Sequence, residues 1–131
     1  MPTGSGLLAM GDQRYVSLTT FRRSGAPVAT PVWVARHGDA LVVTTPAGAG
    51  KVKRLRRDPR VELRPCGRTG TVAPEAPRAT GRAEVLRGAT ATTGPEATLR
   101  RKYGWPFRLI TVLGRVRRSG AERVILRITA G

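Results

Sequence analysis

Apolar and β-branched residues fall into short runs that are separated by turns rich in Gly, Pro and Asp. Runs of about four to eight such residues between turn signals are typical of β-strands. The first two runs are separated by the turn-like string Arg-Ser-Gly-Ala, which predicts a hairpin. In all, six strands are predicted, at residues 15–21, 27–35, 40–45, 60–65, 78–87 and 122–129.

Two segments carry helical signals instead. In residues 51–57, Val52 and Leu55 lie one turn apart, and an Asp-Pro pair ends the segment. A second helix is predicted from Thr93 to about residue 103, because a Thr-x-x-Glu string has the spacing of a capping box. The run at residues 107–113 is ambiguous, and we interpret it as helix because it closely follows the previous one.

The order of these elements is three strands, a helix, two strands, a helical region and a final strand. A length of 131 residues fits a single domain. We therefore expect one mainly β domain at residues 14–131, preceded by a flexible N-terminal tail at residues 1–13. Hairpin-linked strands with helical insertions predict a small antiparallel barrel capped by helices.

Charge and rare residue types narrow the function classes. The 24 Lys and Arg outnumber 8 Asp and Glu, which gives a formal net charge of +16 and implies an anionic partner or ligand. A single Cys and a single His exclude a disulfide framework and the usual zinc sites, so we expect no metal. Since no apolar run approaches the ~18 residues of a membrane span, we expect a cytoplasmic protein.

Residues 44–54 form the segment with the clearest chemistry. A predicted strand ends in the hydroxyls of Thr44 and Thr45, a loop of small residues follows, and a helix begins with Lys51, Lys53 and Arg54. Cations are disfavoured in the first turn of a helix, whereas its free amides attract anions. The segment therefore predicts an anion site. A solvated basic helix in an Arg-rich protein is the alternative.

Two further segments carry candidate ligand contacts. The first is the string Thr-Pro-Val-Trp that begins at Thr30, in which Pro31 has no N–H to donate to a strand partner. In the same string, Trp33 has a broad ring that could contact a ligand or pack in the core. Three of the six aromatic residues cluster in the string Tyr-Gly-Trp-Pro-Phe that begins at Tyr103. These three could form core, a subunit interface or a ligand-facing surface.

Catalysis by the protein's own acid–base groups has little support. The carboxylates are scattered without a close pair that could divide acid and base roles. We interpret Cys66 as a partly buried thiol rather than a nucleophile, and the basic turn from Arg115 to Arg118 could meet a polyanion or solvent equally well. A cofactor that brings its own chemistry is therefore the better hypothesis for an enzymatic role.

Several strings in the chain resemble one family together, although each alone is unspecific. They are YVSLTTF (15–21), PVATPVW (27–33), GKVKRLRRDPRV (50–61), RKYG (101–104) and ERVILRI (122–128). The chain resembles the split-barrel flavin- and deazaflavin-dependent oxidoreductases of the pyridoxamine 5′-phosphate oxidase-like superfamily. It is most similar to their actinobacterial F-420-dependent branch. The resemblance extends over nearly the whole chain and is weakest at residues 66–77.

This resemblance implies a six-stranded antiparallel split β-barrel of the FMN-binding type. It also implies a homodimer that binds its cofactor in a groove between protomers. Thr30 to Trp33 would run along the ring system, and Lys51 with its neighbours would hold a phosphate or an acidic tail. By position, the implied cofactor-binding residues are Thr30, Pro31, Val32, Trp33, Val43, Thr44, Thr45, Gly50, Lys51, Lys53, Arg54, Tyr103 and Trp105.

The expected function is oxidoreduction, with reduced deazaflavin coenzyme F-420 as hydride donor to an unsaturated organic substrate. Relatives that bind FMN often carry Arg-Lys where this chain has Gly50-Lys51, which favours F-420 over FMN. Three alternatives stay open: an FMN-dependent oxidoreductase or oxidase of the same fold, a non-catalytic cofactor carrier, and a polyanion-binding protein. The absence of a helix-turn-helix, zinc-finger or RNP-like motif argues against specific recognition of nucleic acid.

Overall fold

The chain folds around one antiparallel sheet, seen in a computed structural model that describes residues 3–104 and 123–130. The N-terminal segment is a short helix followed by a 3-10 turn. The elements in chain order are α1 (Thr3–Ala9), the 3-10 turn (Met10–Asp12), β1 (Val16–Phe21), β2 (Pro27–Val32), β3 (Ala35–His37), β4 (Ala40–Pro46), α2 (Gly50–Arg57), β5 (Arg60–Pro65), β6 (Ala79–Leu86), α3 (Ala89–Tyr103) and β7 (Arg123–Thr129).

The sheet curls so far that its two edges approach each other. Its strand order is β2-β1-β5-β6-β7-β4-β3, so β2 and β3 are opposite edges. Only Trp33 and Val34 connect these two strands. Three Cα–Cα steps span at most about 11 Å, so the edges must come close where the connection crosses. We call the connection Trp33–Val34 the seam of this half-barrel.

Buried side chains lie on both faces of β4 and β7. The inner cluster includes Leu18, Leu63 and Leu126, and extends to residues of α1 and α2. A second cluster packs α3 against the outer face and contains Val42 and Ile125, which lie on β4 and β7. Because β4 and β7 are covered on both faces, they read as nearly continuous apolar runs rather than as alternating ones.

The mainly β, antiparallel split-barrel architecture predicted from the sequence is confirmed. The sheet has seven strands rather than six, because the predicted strand at residues 27–35 is divided at the seam into β2 and β3. The division places Pro27 and Pro31 on an edge strand, where a missing N–H donor costs no interior ladder bond.

Two expectations about local structure were wrong. The N-terminal segment is not a loose tail, because residues from Thr3 onward form α1 and bury Leu7 and Met10 in the core. The helix α3 begins at Ala89 rather than at Thr93, and no described side chain makes a capping hydrogen bond at its N-cap residue, Gly88. Its start is instead set by Gly88, whose φ of 84° turns the chain out of β6 into the helix.

Three predicted features lie outside the described residues: the helix expected at 107–113, Trp105, and the basic turn from Arg115 to Arg118. Within residues 3–104 and 123–130, no helix combines the length and the apolarity needed to cross a membrane.

Candidate functional site

A cleft of about 230 Å³ opens at the seam. It lies where β2 and β4 end and where α2 and β7 begin, so four elements contribute side chains to it. Its lining consists of Pro31, Val32, Trp33, Thr44, Thr45, Pro46, Lys51 and Arg123. Among these lining residues there is no carboxylate, imidazole or thiol. The cleft therefore offers cations, hydroxyls and apolar surface, and lacks the groups of a conventional acid–base site.

Strand pairing brings the two cations of the cleft together. Arg123, the first residue of β7, lies opposite Pro46, the last residue of β4, and the helix α2 begins four residues after Pro46. The Arg123 Nε donates to Thr44 Oγ1 at 3.1 Å. The Lys51 Nζ donates to the neighbouring Thr45 Oγ1 at 3.4 Å. Two adjacent threonines thus orient two cations that are distant in sequence.

Neither cation has a carboxylate partner in the described part of the chain. Burial lowers the pKa of Lys51, and the positive charges of Arg54 and Arg123 lower it further. Burial likewise lowers the pKa of Arg123. Half-buried like charges destabilise each other unless an opposite charge is added. The cleft is therefore suited to bind an anion between Lys51 and Arg123.

One wall of the cleft is aromatic. The Trp33 ring stacks on the Tyr103 ring, with centroids 4.6 Å apart and an interplanar angle of 8°. Tyr103 is buried and does not line the cleft, so its role in cofactor binding stays a prediction. It lies behind Trp33, because the end of α3 packs against the seam. Trp33 alone of this pair presents its surface to a ligand.

A second group of cations lies beside the cleft on α2. The Arg54 Nε donates to Thr20 Oγ1 at 2.7 Å, and this guanidinium crosses the first turn of the helix. A Cβ added at Gly50 would come within 2.9 Å of Arg54 Nη1, so the glycine leaves room for that arginine. Burial and the charges of Arg22 and Arg57 lower the pKa of Arg54.

The remaining predicted residues lie at varying distances from the cleft. The hydroxyl oxygen of Thr30 is buried on β2, next to Pro31, and has no hydrogen-bond partner among residues 3–104 and 123–130. Val43 is fully buried in the inner core and does not line the cleft, so its role in cofactor binding stays a prediction. Lys53 is exposed on α2 and does not line the cleft.

The structure thus brings six predicted residues into one cleft: Pro31, Val32, Trp33, Thr44, Thr45 and Lys51. Sequence reasoning missed Pro46 and Arg123. The pattern contained no sign of Arg123, because one arginine among many carries no local signature and the pairing of β7 with β4 is long-range. Within the described ranges, no group of three or more His, Cys, Asp and Glu side chains could hold a metal ion.

The sequence and the fold are similar to those of known proteins. The model of the family described as pyridoxamine 5′-phosphate oxidase matches residues 8–130. A search among curated proteins finds no match. Among solved structures, the chain is similar to the conserved hypothetical protein Rv2991 from Mycobacterium tuberculosis. That similarity has a TM-score of 0.66 and 24% identity, over 92% of this chain and 75% of the other.

Two further solved structures are similar to the chain. An F420 reductase is similar at a TM-score of 0.61 and 19% identity, over 96% of this chain and 94% of the other. HutZ from Vibrio cholerae, described as a heme storage protein, is similar at a TM-score of 0.65 and 13% identity. The similarity covers 100% of this chain and 92% of the other. These identities establish the shared fold. Since the family model spans nearly the whole sequence, the chain belongs to the pyridoxamine 5′-phosphate oxidase family.

Proposed function

We propose that the protein is an oxidoreductase that binds reduced F-420 in the seam cleft and uses it to reduce an unsaturated organic substrate. The observation that carries the proposal is the pair Lys51 and Arg123, which share the cleft without a carboxylate in the described part of the chain. An anionic cofactor with a planar ring would satisfy this pair and the aromatic wall together.

The residues fit such a cofactor in three respects. Lys51 and Arg123 supply the positive charge that a phosphodiester requires. Thr44 and Thr45 supply hydroxyls at the same end of the cleft. Trp33 supplies an aromatic surface in the wall of the cleft, against which a planar ring system could lie.

Each part of the site would have a distinct task. Lys51 and Arg123 would hold the phosphate, whereas Arg54 and Lys53 on α2 would attract the more distant negative charges of an oligoglutamate tail. Trp33 would lie against the ring system and exclude water from that side. When bound, F-420 supplies the hydride, so the cleft needs no acid–base pair of its own.

The similarity to a protein described as an F420 reductase supports this cofactor, although it is remote. FMN is the second candidate, because its phosphate would suit the same two cations. A carrier without turnover is the third, and the similarity to a heme storage protein shows that this fold can serve storage. Gly50 at the start of α2 favours F-420, since FMN-binding relatives often have Arg at that position.

Titration with each cofactor separates these candidates. We expect saturable F-420 binding, followed by calorimetry and by tryptophan fluorescence, with weaker binding of FMN. Mixing protein and excess reduced F-420 with a panel of conjugated acceptors should then oxidise the cofactor and reduce the acceptor over many turnovers. Tight FMN binding without F-420 binding would overturn the choice of cofactor. F-420 binding without turnover of any acceptor would favour a carrier.

We further propose that the protein acts as a cytoplasmic homodimer, as the resemblance to split-barrel oxidoreductases implies. Sedimentation equilibrium measures this directly: a particle of twice the 14.1 kDa chain mass is expected. A monomer at micromolar concentration would contradict the dimer, but it would leave the anion site of the cleft unaffected.

A further inference from the structure

We propose that Lys102 and Tyr103 are positioning residues, which fasten the seam and thereby hold Trp33 in its place in the cleft. The inference rests on the proposed function only for its consequence in ligand binding. Neither residue lines the cleft, so both would act through the seam rather than by touching a ligand.

The seam poses a hydrogen-bonding problem. Val34 is fully buried, yet it lies between β2 and β3 and belongs to no strand pair. A buried backbone N–H or C=O that has no hydrogen-bond partner destabilises the fold. The Tyr103 hydroxyl accepts the Val34 N–H at 2.9 Å and lies 2.8 Å from the Val34 carbonyl oxygen. A side chain of α3 therefore replaces the missing strand partner.

Tyr103 cannot satisfy every acceptor around it. Its single hydroxyl proton is shared between the Val34 carbonyl and the Arg14 carbonyl, which lies 2.7 Å away. The adjacent Lys102 supplies the additional donors. Its ammonium group has three N–H bonds and meets three carbonyl oxygens, those of Gly11 at 2.7 Å, Gln13 at 2.5 Å and Val34 at 2.6 Å.

These contacts join three parts of the chain at one point. Lys102 connects the N-terminal segment to the seam, and Tyr103 connects the seam to the end of α3. Burial lowers the pKa of Lys102, Asp12 raises it and the positive charge of Arg14 lowers it. Two kinds of contact therefore fix the position of Trp33. The following residue, Val34, is hydrogen-bonded to Tyr103 and Lys102, and the Trp33 ring stacks on Tyr103. The seam contacts therefore define the position of one cleft wall.

Amide hydrogen exchange tests this role without any ligand. In Tyr103→Phe, which retains the stacked ring, we expect the Val34 amide to exchange at least tenfold faster. The amide of Leu126, at the centre of the sheet, should exchange at its original rate. Arg100→Met, an exposed substitution on the same helix, is the control and should leave exchange at the Val34 amide unchanged. Equal acceleration at Val34 and Leu126, or none at either, would overturn the proposal.

Lys102→Met provides a second, independent variant, with Arg100→Met on the same helix as its control. We expect Lys102→Met also to accelerate exchange at Val34; if it does not fold, Tyr103→Phe decides the question alone. Both seam variants should bind F-420 at least tenfold more weakly than their controls. Wild-type protein that fails to bind F-420 would contradict the proposed function, while the exchange result would still decide the role of the seam.

Discussion

Lys51 and Arg123 face the same cleft, and each donates a hydrogen bond to one of two adjacent threonines rather than to a carboxylate. Their elements, α2 and β7, are distant in sequence and meet because β7 pairs with β4. In a protein of net charge +16, most cations are spread over strands and turns. This pair is distinctive because it is half-buried and concentrated at one ligand-sized cleft.

The anion affinity of the cleft should depend on pH through Lys51. Its pKa lies below the ordinary 10.5, so raising the pH through that lowered value removes one positive charge from the cleft. Affinity for F-420 should therefore fall as the solution becomes alkaline, at pH values below 10.5. Lys51→Arg keeps the charge and should remove this dependence. Calorimetric titrations at several pH values measure both, and an identical alkaline loss in the arginine variant would contradict the assignment.

Without a ligand, the same lowered pKa has the opposite effect on stability. Between the lowered pKa and 10.5, the unfolded chain binds a proton at Lys51 that the folded chain has released. The contribution of Lys51 should consequently increase the free energy of unfolding as the pH rises through this interval. Urea unfolding of wild type and Lys51→Met, compared across the interval, should show a larger gain in the wild type, because Lys102, whose pKa is also lowered, contributes equally to both proteins.

Tyr103 should make the fold sensitive to strong alkali. Burial raises its pKa to about 12 from an ordinary 10.0, so between these values the folded chain retains a proton that the unfolded chain has lost. Stability should therefore fall as the pH rises from about 10 to 12, by roughly 2–3 kcal/mol in total. In Tyr103→Phe this part of the decline should be absent. Parallel slopes in the two proteins would disprove the assignment.

The stacked rings at the seam should contribute measurably to stability. Trp33→Leu removes the contact with Tyr103 and is expected to lower the free energy of unfolding by about 1–3 kcal/mol. Trp33→Phe, which keeps an aromatic ring, should lose less. Denaturant unfolding monitored by far-UV circular dichroism gives both values, and equal losses in the two variants would show that ring stacking contributes nothing.

Gly81 marks a point where two strands leave no room for a side chain. A Cβ there would lie 2.6 Å from the backbone oxygen of Thr129, which cannot move without disturbing β7. Gly81→Ala should lower the free energy of unfolding by about 1–3 kcal/mol. Gly67→Ala, where nothing lies within 4 Å of the added atom, should change it by less than about 0.5 kcal/mol. Thermal or urea unfolding of both variants would detect a reversal of this order.

The sequence predicted local structure well where local signals decide it. The helix α2 follows from the spacing of Val52 and Leu55, and Asp58 stands where the helix ends. The start of α3 was misplaced, because a capping-box spacing at Thr93 also occurs inside a helix. The start of the helix is set by the point where the chain leaves β6, at Gly88. That position puts Thr93 inside the helix rather than at its start.

Long-range pairing is what the sequence could not reveal. Pro31 and Trp33 were candidates because of their residue types, and Lys51 because of its place at a helix start. Arg123 joined them only when β7 paired with β4 in the register that sets it opposite Pro46. The division of the second predicted strand at the seam depends in the same way on side chains of α3, which lie about 70 residues away.

The most direct test of the account is the affinity of Lys51→Met and Arg123→Met for F-420, measured by titration calorimetry beside the exposed-arginine control Arg100→Met. A charge-assisted hydrogen bond contributes roughly 1.5–3 kcal/mol, so each cleft variant should bind about ten- to a hundredfold more weakly. The control should bind as wild type does. Unchanged affinity in both cleft variants would contradict the central claim, that the pair at the seam holds the anionic part of the cofactor.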